Sequence, residues 1–296
     1  MKRPVTLSLL LFVLVLAQGN NVRIITIDSP NGGTVSGNPR SGPLTFENPK
    51  PGGVVGKVKD LVITASKATL EAPPGKTLDE SKGERTATFQ DNITVKRDRM
   101  TATGPRLVYS EKTGQGVLNG PAKMRQEPKD KDGDPVEVTA NKMTFDVDTD
   151  ISTSEGRVSL KNGRQEGQSD TVYYEEKRGL AIFSDKEQVV LTRRRTDGDL
   201  VIRAKEVRSL TEDKRLIATG GVTLVDGNIT TTGASLSYDD KTGIAFITGN
   251  ARSENKKEGL TITGNTLQHN VNKHIVVNYT KPYQLPTADY KRSGEQ

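Results

Sequence analysis

The sequence predicts an all-β fold, an elongated and solenoid-like stack of bent antiparallel strands around an apolar trough. Three observations lead there: a composition rich in turn formers, a repeated alternation of inward side chains with a fixed break, and polar turns between the repeats. Of 296 residues only 32% are apolar and 4% aromatic, Trp is absent, and there are 29 glycines. Globular domains average roughly 45% apolar residues, glycine included. Disorder is the rival reading of such numbers, and the repeat argues against it.

One pattern recurs: three alternating inward positions ending on a small residue, a hop of three, and two more alternating positions. The copies are Leu61, Ile63, Ala65 then Ala68, Leu70; Met100, Ala102, Gly104 then Leu107, Tyr109; and Val136, Val138, Ala140 then Met143, Phe145. A weaker copy is Gln165, Gly167, Ser169 then Val172, Tyr174. Three more are Leu200, Ile202, Ala204 then Val207, Ser209; Ile229, Thr231, Gly233 then Leu236, Tyr238; and Leu260, Ile262, Gly264 then Leu267, His269.

Alternation with period two marks a strand with one buried face. An odd hop would throw the second segment to the wrong face, so the backbone must absorb one extra residue there as a bulge or corner. Ala, Gly or Ser at the hop lets the chain bend without obstruction. Each unit is therefore a strand, a corner and a second strand. Turns rich in Gly, Asp, Lys and Asn follow, at residues 111–114, 211–214 and 239–243, and alternation then resumes through a glycine, as at Gly120, Gly156, Gly220 and Gly249. Such units cannot bury their own faces, and stacking them gives one continuous core.

The ends differ from the repeat. Lys2 and Arg3, an apolar run over residues 7–16 and small residues around Ala17 read as a cleavable secretory signal over residues 1–17. The run is shorter than the about 20 residues of a membrane span, which makes an uncleaved anchor the alternative. Residues 18–57 carry one strand, over 22–27, and then a Pro- and Gly-rich irregular lead-in; residues 58–280 form the continuous repeat; residues 281–296 read as a flexible tail. The stretches 127–135 and 193–199 read as long hairpin tips.

Charge and motif content narrow the function classes. The net charge of +6 loses Lys2 and Arg3 with the leader, which contains no acid, and leaves +4. Cations are interspersed with acids and no basic stripe carries interleaved aromatics, which speaks against nucleic acid. With no cysteine there is no disulfide framework and no thiolate chemistry. Asp146, Asp148 and Asp150 imitate the start of a calcium loop, but Ile151 stands where glycine is required and Arg157 where the bidentate Glu belongs. Asp130, Asp132 and Asp134, interleaved with lysines, read as a solvated tip. His269 and His274, five apart, would lie on opposite faces of a strand, unsuited to zinc or to base catalysis. No catalytic site, metal or cofactor is expected. A polysaccharide-degrading solenoid would need clustered carboxylates and exposed aromatic platforms, and neither is evident.

The small-to-aromatic-to-acid segments (Ala140, Met143, Phe145, Asp146; Gly233, Leu236, Tyr238, Asp239) and the Gly-x-Val-x-Leu segments (Gly156, Val158, Leu160; Gly220 to Leu224) make residues 58–277 resemble the LptA/OstA-like family of periplasmic lipopolysaccharide-transport proteins. The resemblance implies a β-jellyroll of V-shaped strands that shields acyl chains and joins related jellyrolls end to end between inner and outer membranes. Family members are usually shorter, so this chain would be one longer trough or two fused repeats. The implied cargo is lipopolysaccharide or another glycolipid. The implied partners are inner- and outer-membrane transport proteins with related jellyroll domains and further copies of the chain, head to tail.

Each buried CH₂ of a lipid chain is worth about 0.8 kcal/mol. The expected lipid-binding interior comprises Ile63, Leu70, Met100, Leu107, Tyr109, Val138, Met143, Phe145, Val158, Tyr174, Ile202, Val207, Leu236, Tyr238, Ile262 and Leu267. Arg193, Arg194 and Arg195 are candidate headgroup contacts, since guanidinium forks bind phosphate, or else an exposed charged turn. The alternative function is a structural or adhesive cell-envelope repeat protein whose small side chains fill the interior and leave no room for lipid.

Overall fold

The computed structural model describes residues 23–295 apart from residues 52, 130, 132 and 197. The expected signal sequence lies outside the described residues. The described residues form one antiparallel sheet of nineteen strands. Six short strands come first: β1 (Thr26–Asp28), β2 (Thr34–Gly37), β3 (Leu44–Glu47), β4 (Val54–Val58), β5 (Leu61–Ala65) and β6 (Lys67–Glu71). Twelve long strands follow: β7 (Thr86–Arg97), β8 (Met100–Ser110), β9 (Gln115–Gln126), β10 (Val136–Asp146), β11 (Ile151–Asn162), β12 (Gln165–Glu175), β13 (Leu180–Arg193), β14 (Leu200–Leu210), β15 (Arg215–Asp226), β16 (Ile229–Asp239), β17 (Ile244–Asn255) and β18 (Leu260–Asn270). Short β19 (Ile275–Asn278) closes the series.

Every long strand is bent in its middle, where the pairing register shifts, for example between Gln90 and Ile93, Ala140 and Lys142, and Thr219 and Val222. The predicted corner is thus present in each unit. Two kinds of backbone make it. On β15 both Gly220 and Gly221 sit at φ +84°, a left-handed pair that glycine adopts without penalty. On β16 a Cβ at Gly233 would lie 2.5 Å from Ile247 Cγ2, so the bend needs the absence of a side chain.

The bends divide the sheet into two arms. The first arm runs from β2 and β3 through β6, the N-terminal half of β7 and the C-terminal half of β8, and so on to β19. The second runs from β1 through β4, β5 and the remaining halves, ending on residues 260–264 of β18. The arms face each other across one hydrophobic core; a Cβ on Gly56 of the second would lie 2.4 Å from the ring of Phe89 in the first. Seen along the stack, each long strand is a V with its bend at the vertex and its hairpin turns at the tips. This is the stack of bent strands that the repeat predicts, and it is jellyroll-like as the resemblance implies.

Two parts depart from expectation. The lead-in is not irregular after one strand: β1 to β3 and all but the last residue of β4 lie within it, because the alternation of Leu44, Phe46, Val54, Gly56 and Val58 survives between the prolines and supplies the first rungs of both arms. The tail is not loose. Residues 281–295 cross the outer face of the first arm as a strap, with Tyr290 (1% exposed) packed on Leu180, Ile182, Leu210 and Ile217. Tyr283 stacks on Phe246 at 4.4 Å, and Arg208 holds Glu295 at 2.7 Å.

Candidate functional site

The interior changes character along the stack. Near the N-terminal end large side chains fill it: Phe89, Leu107, Tyr109, Leu118, Met143 and Phe145 are all fully buried. Tyr109 spans the V, its hydroxyl donating to the Arg23 carbonyl at 2.8 Å, and burial, with the charges of Glu111 and Asp148, pushes its pKa well above the ordinary tyrosine value.

In the middle, from β9 to β16, the inward positions include Ser152, Ser154, Gly167, Ala181 and Ser209, and the side chains no longer meet. A cavity of about 220 Å³ results. Its walls are Met124, Val138, Leu160, Phe183, Leu191, Leu200, Ile202, Leu216 and others. Polar groups stand at its rim, among them Asn162, Gln165, Arg193, Lys214 and Asp240.

Towards the C-terminal end the interior closes again with polar groups. His269 Nε2 is 2.9 Å from Asp226 Oδ2, His269 Nδ1 is 3.2 Å from Thr231 Oγ1, and that hydroxyl donates to Ser253 Oγ at 2.9 Å. His274 Nδ1 reaches the same Asp226 oxygen at 3.0 Å, and Arg195 pairs with the other one. Burial works to raise the Asp226 carboxyl, but hydrogen bonds from His269 and Arg195, with their charges, outweigh it and hold its pKa below the usual carboxylate range. The two histidines therefore do converge, contrary to expectation. The reason is local: β18 ends at Asn270, and His274 lies in the following turn with φ +53°, so strand parity does not apply to it.

All sixteen expected interior residues belong to the core. Fourteen are buried in it, and Tyr174 and Ile262 are partly buried against it. Only Val138, Tyr174, Ile202 and Tyr238 line the cavity. Phe183, Leu191 and Ala181, on β13, were not expected there. The segment Leu180, Ala181, Ile182, Phe183 shows no alternation because the strap covers its outer face, burying both parities.

The three arginines share no common face. Arg193 pairs with Asp240, Arg194 with Glu166 and Asp199, and Arg195 with Asp226 while donating to the Val271 carbonyl at 3.1 Å. The three aspartates of the calcium-like run also diverge: Asp148 is held by Arg23 and Lys59, Asp150 by Lys177, and Asp146 accepts from the backbone of Asp148 and Thr149. Among the described residues no group of three or more His, Asp or Glu could hold a metal ion. Asp130 and Asp132 lie outside the described residues.

A family model described as LptA/(LptD N-terminal domain) LPS transport protein matches the chain twice, over residues 51–151 and 137–275. The chain is also similar to the crystal structure of LptH from Pseudomonas aeruginosa, the LptA homologous periplasmic component of its lipopolysaccharide transport device. The similarity is 13% identity over 53% of this chain and 94% of that one, with a TM-score of 0.27. No curated protein matches the sequence.

Proposed function

The chain belongs to the LptA/LptD N-terminal domain family of lipopolysaccharide-transport proteins, and on that premise we propose that it is a periplasmic carrier that shields lipid acyl chains in its mid-stack cavity. The observation that carries this reading is the cavity itself, lined by apolar side chains from both arms and rimmed by polar ones. A filled solenoid would have no reason to place Ser152, Ser154, Gly167 and Ala181 on inward positions of consecutive strands. An apolar wall with polar groups at its mouth suits an amphiphile, whose chains gain by burial while its headgroup stays in water. No chemical step is needed, and the role is carriage alone.

Open strand edges support the further proposal of end-to-end contacts with related jellyrolls. At the C-terminal end residues 260–264 of β18 pair with β17 on one side and, among the described residues, with no strand on the other, and Leu260, Ile275 and Val277 are 58%, 51% and 46% exposed. At the other end β2 presents Val35, 57% exposed. Edges of this kind pair readily with added strands.

Native mass spectrometry of protein isolated from membranes tests the carrier reading. The expected spectrum contains a protein–glycolipid complex. Protein that is lipid-free, and that takes up no labelled lipopolysaccharide after delipidation, would contradict it.

A further inference from the structure

We infer that the outer face of the first arm carries a saccharide subsite, beneath the C-terminal strap, that takes up the glycan of an amphiphile whose chain lies in the cavity. Only the source of the glycan rests on the carrier reading. The subsite itself stands on its own lining.

The floor of the site is two rows of side chains on the outer face. Ser237, Phe246 and Gln268 are cross-strand neighbours on β16, β17 and β18, and Arg215, Asp239 and Ile244 form the next row towards the hairpin tips. Tyr283 and Pro286 of the strap complete the lining, and the recess between strap and sheet measures about 400 Å³. Sites for small molecules run from roughly 300 to 1,000 Å³.

The lining suits a sugar ring, which presents hydroxyls around its edge and C–H groups on its faces. The apolar part is aromatic: Tyr283 stacks on Phe246 with ring centroids 4.4 Å apart, and Tyr279 meets both rings edge-on. Polar groups adjoin the rings. The Ser237 and Tyr283 hydroxyls bond each other and keep further hydrogen-bonding capacity. The Gln268 amide makes no hydrogen bond among the described residues, so its two donors and its acceptor oxygen are open to a ligand. Other occupants fit less well. Arg215 is answered by Asp213 at 2.9 Å and has Asp239 as its cross-strand neighbour, which leaves no unopposed positive charge for a phosphate. An acyl chain would strip water from Arg215, Asp239 and Gln268 without replacing its hydrogen bonds.

The recess also adjoins the cavity. Arg215 and Tyr238 line both, and Lys214 and Asp240 stand on the cavity side of the same hairpin tips. A glycan attached to a chain in the cavity reaches the recess by rounding one tip. Two linked parts of one molecule held at adjoining sites reinforce each other through effective concentration.

The test uses whole lipopolysaccharide, its lipid portion after mild-acid removal of the sugars, and the lipid-free oligosaccharide released in that step. Gln268→Ala removes a partly exposed amide from the outer face and leaves the fold intact. Saturation-transfer NMR is expected to show saturable binding of the free oligosaccharide, weakened at least fivefold by Gln268→Ala and unchanged when Ser154→Leu and Ser209→Leu fill the cavity. Whole lipopolysaccharide should bind more tightly than its lipid portion, and Gln268→Ala should remove most of that difference without changing the affinity for the lipid portion. Free oligosaccharide that fails to bind, or that binds Gln268→Ala equally well, would overturn the inference, while binding of the lipid portion would still uphold the carrier reading. Equal binding of an N-acetylglucosamine trisaccharide would overturn the assignment to the carried lipid's own glycan. Oligosaccharide binding without binding of either lipid form would overturn the carrier reading and uphold the saccharide subsite.

Discussion

His269 and Asp226 lie 2.9 Å apart with both side chains fully buried, and they tie the first arm of the V to the tip of the second. Around them Arg195, His274, Thr231 and Ser253 complete a polar node at the C-terminal end of the core. Removing the shared carboxylate would leave Arg195 and His269 without their common acceptor. Asp226→Ala is expected to cost about 3–5 kcal/mol, the range for breaking a buried pair. His274→Ala, at the half-exposed edge of the node, is expected to cost about 1 kcal/mol or less. Urea denaturation of the two variants measures the contrast.

The same node sets an acid limit. The Asp226 carboxyl is held below its ordinary value of 3.8, so between the two values the unfolded chain binds the proton and the folded chain does not. Its contribution is therefore complete above about pH 4 and is lost as pH falls through the folded value. Glu295 behaves likewise: the Arg208 guanidinium brings its pKa down to about 2 from 4.5. Thermal midpoints between pH 5 and pH 2 are expected to fall less steeply for Asp226→Asn than for the wild type.

The C-terminal strap is a structural part of the sheet's outer face. Tyr290 is 1% exposed against Leu180, Ile182, Leu210 and Ile217, and burial pushes its hydroxyl up to about 12. Tyr290→Ala is expected to cost about 3–5 kcal/mol, as large aromatic truncations do. Lipid uptake should be unchanged, because the strap lies on the opposite face from the cavity. Calorimetry beside an uptake assay separates the two effects.

Filling the cavity should do the reverse. Ser154→Leu together with Ser209→Leu adds apolar volume where the walls stand apart. Placing those side chains into existing space avoids the overpacking penalty of about 1–3 kcal/mol found in dense cores. The double variant is expected to keep its thermal midpoint within a few degrees and to lose most of its lipid uptake, measured by fluorescence.

Much of this architecture is legible in the sequence, and the exceptions have physical causes. Met100, Ala102, Leu107 and Tyr109 state their parity and their corner, because one face of each half-strand meets the core and the other meets water. That contrast vanishes where something covers the outer face. The run Leu180 to Phe183 is buried on both sides by the strap, so the residues that form one cavity wall carry no periodic signal. The cavity is also hidden, since it comes from the absence of bulk at Ser152, Ser154, Gly167 and Ala181, and a weak repeat resembles an empty one. The His269–His274 pair was invisible for a different reason: its geometry is set by a turn, and strand arithmetic misplaces it.

The central claim, that the mid-stack cavity holds lipid, is tested most directly by site-specific photo-crosslinking. A benzoylphenylalanine probe replaces Phe183 in the cavity wall or Phe89 in the filled section, and each protein is irradiated with lipopolysaccharide. The account predicts a lipid adduct from position 183 and little or none from position 89. An adduct-free protein at position 183, with the fold intact by circular dichroism, would contradict it.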